Sequence, residues 1–202
     1  MTALTVHTQA ELDAALTNPD HAFSTHEIII DSPAGVTLVV DDGRGYRVSA
    51  FYSSAVQAFG SSAVHAFGSS TVHAFGSSTV HAYDSSTVTA YDSSAVHAYD
   101  SSAVHAYDSS AVHAYDSSTV HAYGSSTVAA RGSVAITAYG SSTVHAFDSS
   151  TVHAYDSSTV TADDSVAIHE HDPHATIAGG VILDHTTADA LTITPTLKRN
   201  SR

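Results

Sequence analysis

The main pattern of the chain is an eight-residue alternation of small, apolar and polar positions. From Ser53 to Asp172, fifteen consecutive octads follow the consensus Ser-Ser-(Thr/Ala)-Val-His-Ala-(Tyr/Phe)-(Asp/Gly), with no insertion or deletion. An even period keeps each position on the same face of a β-strand in every copy, whereas eight residues match the helical turn poorly. The pattern therefore predicts an all-β repeat protein.

Two variant octads indicate which positions face inward. In the octads that begin at Ser133 and Ser165, position two changes from Ser to Val and position four changes from Val to Ile. We therefore expect positions two, four and six in the core and positions three, five and seven at the surface. Position eight is always Asp or Gly, which is typical of a corner that needs an unusual backbone conformation.

The spacing of the variant octads predicts the length of one coil. Their starts are separated by four octads, which is a whole number of two-octad coils but not of three-octad coils. We therefore predict a parallel β-solenoid (β-helix) that is flat and two-sided, with about 16 residues per coil. A three-sided coil of three octads is the alternative. Small Ala and Val side chains suit the thin interior of a two-sided coil.

The segments that flank the octads are predicted to cap the open edges of the solenoid. Thr8-Gln9-Ala10-Glu11 is a capping-box pattern that precedes a short helix. Strands are predicted at residues 27–30 and 36–40. The resulting division of the chain is an N-terminal cap at 1–44, the solenoid at 45–172, a C-terminal cap or edge strands at 173–197, and a disordered tail at 198–202.

Composition narrows the classes of partner. The chain has 6 Lys and Arg against 20 Asp and Glu, and its formal net charge of −14 argues against direct binding to nucleic acid or to an anionic membrane. The absence of Cys excludes disulfides and thiolate chemistry. There is no apolar run of about 18 residues and no signal-peptide pattern, so a cytoplasmic or virion-associated protein is expected.

The octads resemble a family of poorly characterised bacterial and phage proteins whose repeats have the form Ser-(Ala/Ser)-Thr-Val-x-Ala-(Tyr/Trp)-(Asp/Gly). The resemblance extends to residues 8–12 and 31–36, and it implies a β-solenoid preceded by a short helical cap, without an activity. A looser likeness to bacterial ice-nucleation repeats rests on corners such as Tyr123-Gly124-Ser125-Ser126. The paired Thr-x-Thr rows of those proteins are missing here.

The repeated Ser, His and Asp suggest a hydrolase at first sight. Catalysis needs one nucleophile held against one base beside an oxyanion site. Near-identical copies on a flat face supply no such pocket, and no Gly-x-Ser-x-Gly motif is present. We therefore predict that the protein is not an enzyme and that it uses no cofactor.

Columns of His and Tyr at the surface are the main candidate for a functional feature. Residues of one column would stack about 4.8 Å apart from coil to coil. We favour a solvated ladder over a metal site for the His column, and a stabilising ladder over an interface or a carbohydrate platform for the Tyr column. The representative ladder surface comprises Thr79, His81, Tyr83, His97, Tyr99, His113 and Tyr115.

One segment departs from the consensus in a way that suggests metal binding. His169-Glu170-His171-Asp172-Pro173-His174 is rich in histidine, and alternate residues of a strand share a face. The candidate metal ligands are His169, His171 and His174.

The histidines also predict a response to pH. Protonating all 16 His would change the formal charge from −14 to about +2. We expect association or solubility to change between about pH 7 and pH 5.

The sequence therefore predicts a rigid, non-catalytic structural or binding module that acts through its ladders on a protein partner or on a second copy. One alternative is an ice-binding or ice-nucleating protein, because position three is Thr in eight octads and Ala in seven. A second alternative is an acidic mimic of DNA that engages a DNA-binding protein, because Asp recurs at position eight.

Overall fold

The computed structural model describes residues 3–18, 27–41, 46–186 and 192–195. The chain forms a parallel β-solenoid of about ten turns with about 16 residues per turn. Within the octads, each strand pairs in parallel with the strand two octads away, so that His97 lies opposite His81 on one side and His113 on the other. This register confirms the two-sided coil and excludes the three-octad coil.

Short strands form two walls that enclose the core. The first wall contains β1 (Ala3–Val6), β2 (Glu27–Ile30), β4 (Arg47–Ala50), β6 (Ala63–Ala66), β8 (Thr79–Ala82), β10 (Ala95–Ala98), β12 (Ala111–Ala114), β14 (Thr127–Ala130) and β16 (Thr143–Ala146). The second wall contains β3 (Thr37–Asp41), β5 (Ala55–Phe59), β7 (Thr71–Ala74), β9 (Thr87–Ala90), β11 (Ala103–Ala106), β13 (Thr119–Ala122), β15 (Ala135–Ala138) and β17 (Thr151–Ala154). The remaining elements are α1 (Gln9–Thr17), β18 (Thr159–Glu170), β19 (Thr176–Asp184) and β20 (Thr192–Pro195).

The core is built from positions two, four and six of the octads, as predicted. Ser102, Val104 and Ala106 are fully buried, and the same alternation recurs along both walls. Val134 and Ile136 of a variant octad are buried as well. The interior is thin, and small and β-branched side chains fill most of it.

Most corners are tight turns in which the buried serine hydroxyl donates to a carbonyl of its own turn, whereas the hydroxyls of Ser126, Ser142 and Ser158 have no such partner. At one corner the Tyr99 carbonyl accepts a hydrogen bond from the Ser102 N–H at 3.2 Å and another from the Ser102 Oγ at 2.7 Å. The position-eight residue Asp100 has φ of 56°, and Gly76 at another corner has φ of 69°. Position eight therefore needs the left-handed conformation, which glycine adopts freely and which Asp tolerates better than most residues.

The N-terminal helix α1 begins where the capping-box pattern predicts it. The Glu11 N–H donates to the Thr8 Oγ at 3.3 Å, and the Glu11 carboxylate accepts from the His7 N–H at 2.7 Å. The buried residues of α1, Leu12, Ala15 and Leu16, face the end of the solenoid, where α1 packs against β1 and β3. Among the described residues, no helix has both the length and the apolar character that crossing a bilayer requires.

Strands close to the predicted positions follow the helix. The predicted strand at residues 27–30 is β2, and the one predicted at 36–40 starts one residue later, as β3. The Gln9 side chain bonds the backbone of Val39, accepting from its N–H at 2.7 Å and donating to its carbonyl at 2.9 Å. The side chain thus ties the helix to the second wall.

One corner of the last coil lacks the turn that the other octads form. β18 runs through residues 162–165 without the usual turn and pairs with β17 and β19 on the second wall and with β16 and β19 on the first. β19 crosses the same corner at Gly179 and Gly180, both with positive φ, and a Cβ on Gly179 would collide with the Ala162 carbonyl oxygen. The repeat pattern alone would place another regular corner at Asp164.

At the C-terminal end, β20 pairs antiparallel with residues 181–184 of β19. This hairpin-like pair covers the end of the second wall with a strand of opposite direction. The tail at 198–202 lies outside the described residues.

The fold predicts a strong contrast between inward and outward substitutions. Val104→Asp places an unpaired carboxylate in the thin core and should lower the free energy of unfolding by about 3 kcal/mol or more. The control is Ala103→Asp, one residue away on the outer surface, where the carboxylate stays hydrated. Chemical denaturation followed by circular dichroism measures both variants, and equal losses would contradict the assignment of faces.

A second prediction concerns Tyr52, which occupies a corner position with φ of 60° and is 70% exposed. Tyr52→Gly should raise the free energy of unfolding by about 0.5–1 kcal/mol, because it removes left-handed strain and loses little packing. Asp84→Gly is the matched control. Asp84 also accepts a hydrogen bond from the Gly68 N–H, so its replacement should gain less. Thermal denaturation compares the two, and a larger gain from Asp84→Gly would refute the explanation.

Candidate functional site: the outward ladders

The predicted ladder residues lie on the outer surface of the first wall. Strands β8, β10 and β12 hold them in register, so each type of side chain meets its own kind in the next coil. The rings of His65, His81, His97 and His113 form one continuous stack with centroid separations of 4.8, 4.7 and 5.1 Å. The predicted residues that the structure brings together are Thr79, His81, Tyr83, His97, Tyr99, His113 and Tyr115.

The aromatic column at position seven forms parallel stacks at both corners of the coil. On the first wall the centroids of Tyr83 and Tyr99 are 5.0 Å apart, with an angle of 8° between the ring planes. On the second wall the centroids of Tyr107 and Tyr123 are 4.8 Å apart, again at 8°. Rings stacked in this way shield one another's faces from water and fix one another's orientation.

Some octads interrupt the ladders. Ala129 separates His113 from His145 on the first wall, and the neighbouring Arg131 places its guanidinium 5.0 Å from the centre of the Phe147 ring. On the second wall, Thr89 and Thr137 break the His column. The backbone register of the outer faces is therefore regular, but these substitutions divide the His columns into shorter stacks.

The Asp column ties neighbouring coils together at the corners. The Asp84 carboxylate accepts a hydrogen bond from the Gly68 N–H at 2.9 Å, and the Asp100 carboxylate accepts one from the Asp84 N–H at 3.2 Å. Each donor lies two octads before its carboxylate, so the carboxylate bonds the preceding coil rather than its own turn. The Asp column thus helps to hold successive coils together. Neutral side chains occupy the centres of the outer faces.

Partial burial favours the neutral form of four of the stacked imidazoles, because it lowers their pKa values. Burial, followed by the nearby charge of Arg47, lowers the pKa of His65 from 6.5 to about 4. Burial also lowers the pKa values of His81, His97 and His121. The predicted charge change on acidification therefore extends to lower pH than the ordinary pKa of histidine suggests.

The structure separates the three predicted metal ligands. The ring centroids of His169 and His171 are 6.3 Å apart on the second wall. His174 instead places its Nδ1 2.7 Å from a carboxylate oxygen of Asp172. Within the described part of the chain, no three or more His, Asp or Glu side chains form a group that could hold a metal ion.

Two pairs of histidines contact each other at the C-terminal end of the second wall. The Nδ1 of His153 lies 3.0 Å from the Nε2 of His171, and the Nδ1 of His169 lies 3.0 Å from the Nε2 of His185. The sequence predicts His153 in the same column as His169, but neither His153 nor His185 is among the predicted metal ligands. The available signal was His171 itself, since it places an imidazole at position seven, next to the imidazole column at position five.

Comparisons of the chain with models of protein families, with curated proteins and with solved structures found no match.

The lowered histidine pKa values predict a loss of stability in acid. Because the folded-state pKa lies below the unfolded value of 6.5, the unfolded chain binds more protons between these two values. The stabilisation is therefore complete above about pH 6.5 and declines as the pH falls towards about 4. Urea denaturation at several pH values should show this decline.

Variants of position five isolate the contribution of histidine. His65→Thr should weaken the pH dependence between about pH 6.5 and 4, because it removes the group whose pKa is lowered most. Gln57→Thr is the control, since it changes the same position of another octad without removing a titrating group. An unchanged slope in His65→Thr would show that this histidine does not cause the acid sensitivity.

Proposed function

We propose that the protein is a rigid, non-catalytic structural or binding module whose working surfaces are the outward ladders. The observation that carries this proposal is the register: strands two octads apart align position by position, so Thr or Ala, His and Tyr recur in the same order from coil to coil. A surface that repeats a weak contact along its length acts through the sum of many copies.

The ladders are ordered before any partner arrives. Backbone hydrogen bonds join successive coils even at the corners, as from the Ser101 N–H to the Asp84 carbonyl at 2.9 Å. The stacked rings add a further constraint on side-chain rotation. Binding to such a surface therefore costs little conformational entropy, which favours recognition by a flat and preorganised face.

The placement of the repeated serines supports a role without catalysis. Ser78 is fully buried, and its Oγ donates to the Phe75 carbonyl at 2.6 Å. His81 lies three residues later on the outer face of the strand, on the opposite side from this hydroxyl. The position-two serines thus serve the corners, and they are not presented to the histidines as nucleophiles.

The distribution of charge favours a partner that is itself flat and weakly polar. On the first wall, coils around Thr79, His81 and Tyr83 present neutral side chains at the centre of the face. Carboxylates such as Asp84 and Asp100 stand at the corner, where they are exposed. A second copy of this chain offers the matching periodicity, with its acidic rows left at the hydrated rim.

An ice-interacting role is the second candidate, and one observation favours it. Thr127, Thr143 and Thr159 lie directly opposite one another in three successive strands of the first wall. Threonine methyl and hydroxyl groups in a regular row can contact an ordered lattice. Ala replaces Thr at this position in the preceding coil, at Ala111, which limits the row to this part of the face.

Self-association tests the proposal directly. Sedimentation velocity at neutral pH over a range of concentrations should show paired or stacked rods. Replacing Tyr99 and Tyr115 by Ser alters the first wall, and replacing Tyr107 and Tyr123 by Ser makes the matched change on the second wall. The expected result is weaker association in at least one of the two variants, with circular dichroism showing that both remain folded.

The same preparations distinguish the alternatives. A protein that stays monomeric, together with thermal hysteresis that Thr143→Ala reduces, would select the ice-interacting role. A monomer that captures a DNA-binding enzyme would select the acidic mimic of DNA. A monomer with neither property would contradict self-association through the ladders.

A further inference from the structure

One octad of the first wall departs from the consensus at two neighbouring outward positions. The octad at 125–132 carries Ala129 at position five, where most first-wall octads carry His, and Arg131 at position seven, where aromatic residues are usual. No other octad has Ala at position five or a basic residue at position seven. Because alternate residues of a strand share a face, the two changes modify the same part of the outer surface.

The missing imidazole leaves a slot in the His column, bounded by His113, Ala129 and His145. Ala129 lies between the two histidines in the parallel register, one coil from each. His113 stacks one face on His97, with ring centroids 5.1 Å apart, so its other face is turned towards the slot. His113 and His145 are exposed, whereas His97, inside the continuous stack, is half-buried. The slot is therefore open to solvent, with a methyl group as its floor.

The width of the slot matches one planar ring. Strands of neighbouring coils lie about 4.8 Å apart, so His113 and His145 are separated by about 9.6 Å along the solenoid. A ring placed midway between them lies about 4.8 Å from each. In the continuous stack, the ring centroid of His81 lies 4.8 and 4.7 Å from those of its two neighbours. A planar ligand can therefore take the place of the missing imidazole.

Arg131 supplies a positive charge at one side of the slot. Its guanidinium lies 5.0 Å from the centre of the Phe147 ring, a cation–π contact that holds the side chain in place. Arg131 is exposed, and no salt bridge joins it to a carboxylate in the part of the chain that the structure describes. The nearby Asp148 carboxylate accepts instead from the Gly132 N–H at 3.2 Å. The guanidinium can therefore donate to an anionic group in the slot.

We propose that the slot over Ala129 binds a small planar aromatic carboxylate. The ring of the ligand lies between His113 and His145 and completes the column of stacked rings. Its carboxylate accepts charge-assisted hydrogen bonds from Arg131. Thr127, on the same outward face two residues before Ala129, bounds the opposite side of the slot. The strands that carry these groups are fixed by parallel pairing, so the site is formed before the ligand binds.

The gap in the His column of the second wall lacks these features. Thr137 lies between His121 and His153, and its branched side chain occupies more of the gap than the Ala129 methyl does. The residue two positions later is Tyr139, which is uncharged and belongs to the aromatic stack. The gap at Thr137 therefore provides a matched control for the slot.

Titration of the intact protein with benzoate tests the proposal. Nuclear magnetic resonance at neutral pH should show one saturable site per chain and upfield shifts of the benzoate ring protons, because rings on both sides shield them. The imidazole signals of His113 and His145 should shift in the same titration. Benzamide lacks the charge and cyclohexanecarboxylate lacks the planar ring, so each should bind about tenfold more weakly than benzoate.

Variants that restore the consensus remove the slot while keeping residues that the solenoid already accepts at these positions. Ala129→His fills the slot with the imidazole of the neighbouring coils and should abolish binding. Arg131→Tyr restores the aromatic column and should weaken the binding of benzoate about tenfold, with little effect on benzamide. Thr137→His fills the gap on the second wall in the same way and should leave the affinity for benzoate unchanged.

The outcomes decide the proposal independently of the proposed function, because the site lies within one chain. The absence of saturable benzoate binding would overturn it, as would unchanged binding in Ala129→His or an equal loss in Thr137→His. Cyclohexanecarboxylate bound as tightly as benzoate would refute the stacking of a planar ring. Circular dichroism of each variant, compared with that of the parent, separates loss of the slot from loss of the fold.

Discussion

Parallel backbone pairing at a constant interval of two octads is the constraint on which the rest of this structure depends. It places every octad directly over the one two repeats earlier, so identical side chains must stack in the core, on the faces and at the corners. One extra residue would move every later side chain to the opposite face. This constraint explains why the sequence contains fifteen consecutive octads without an insertion or deletion.

The thin core and the outer ladders are two results of the same pairing. Val and Ala fill most of the space between the walls, and at most corners a buried serine donates to a nearby backbone carbonyl. The larger rings are thereby left on the outside, where they stack at about one strand spacing. The described coils thus present extended surfaces, which is why the proposed role relies on repeated contacts.

The most distinctive chemistry lies where the repeat weakens. In the last coils, β18 passes through a corner without a turn. The neighbouring strand β19 crosses the same corner at Gly179 and Gly180, which both have positive φ. His171 stands where other octads carry an aromatic ring, and it faces His153 across the strands. A repeat produces uniform surfaces, so a local departure from it is the means of placing unlike groups together.

The sequence by itself determined which octad positions face the core, the surface and the corners, through its even period, the paired Ser-to-Val and Val-to-Ile changes, and the Asp or Gly at position eight. The strand register then decided between a two-octad and a three-octad coil. The sequence also predicted α1 from the capping box at Thr8 and the ladder surface from His81 and Tyr83. Only the tertiary structure showed that Asp side chains bond the preceding coil, that His174 turns to Asp172, and that His153 and His185 join His169 and His171. Those contacts depend on side-chain direction and on the irregular register of β18 and β19, which no local pattern of residues encodes.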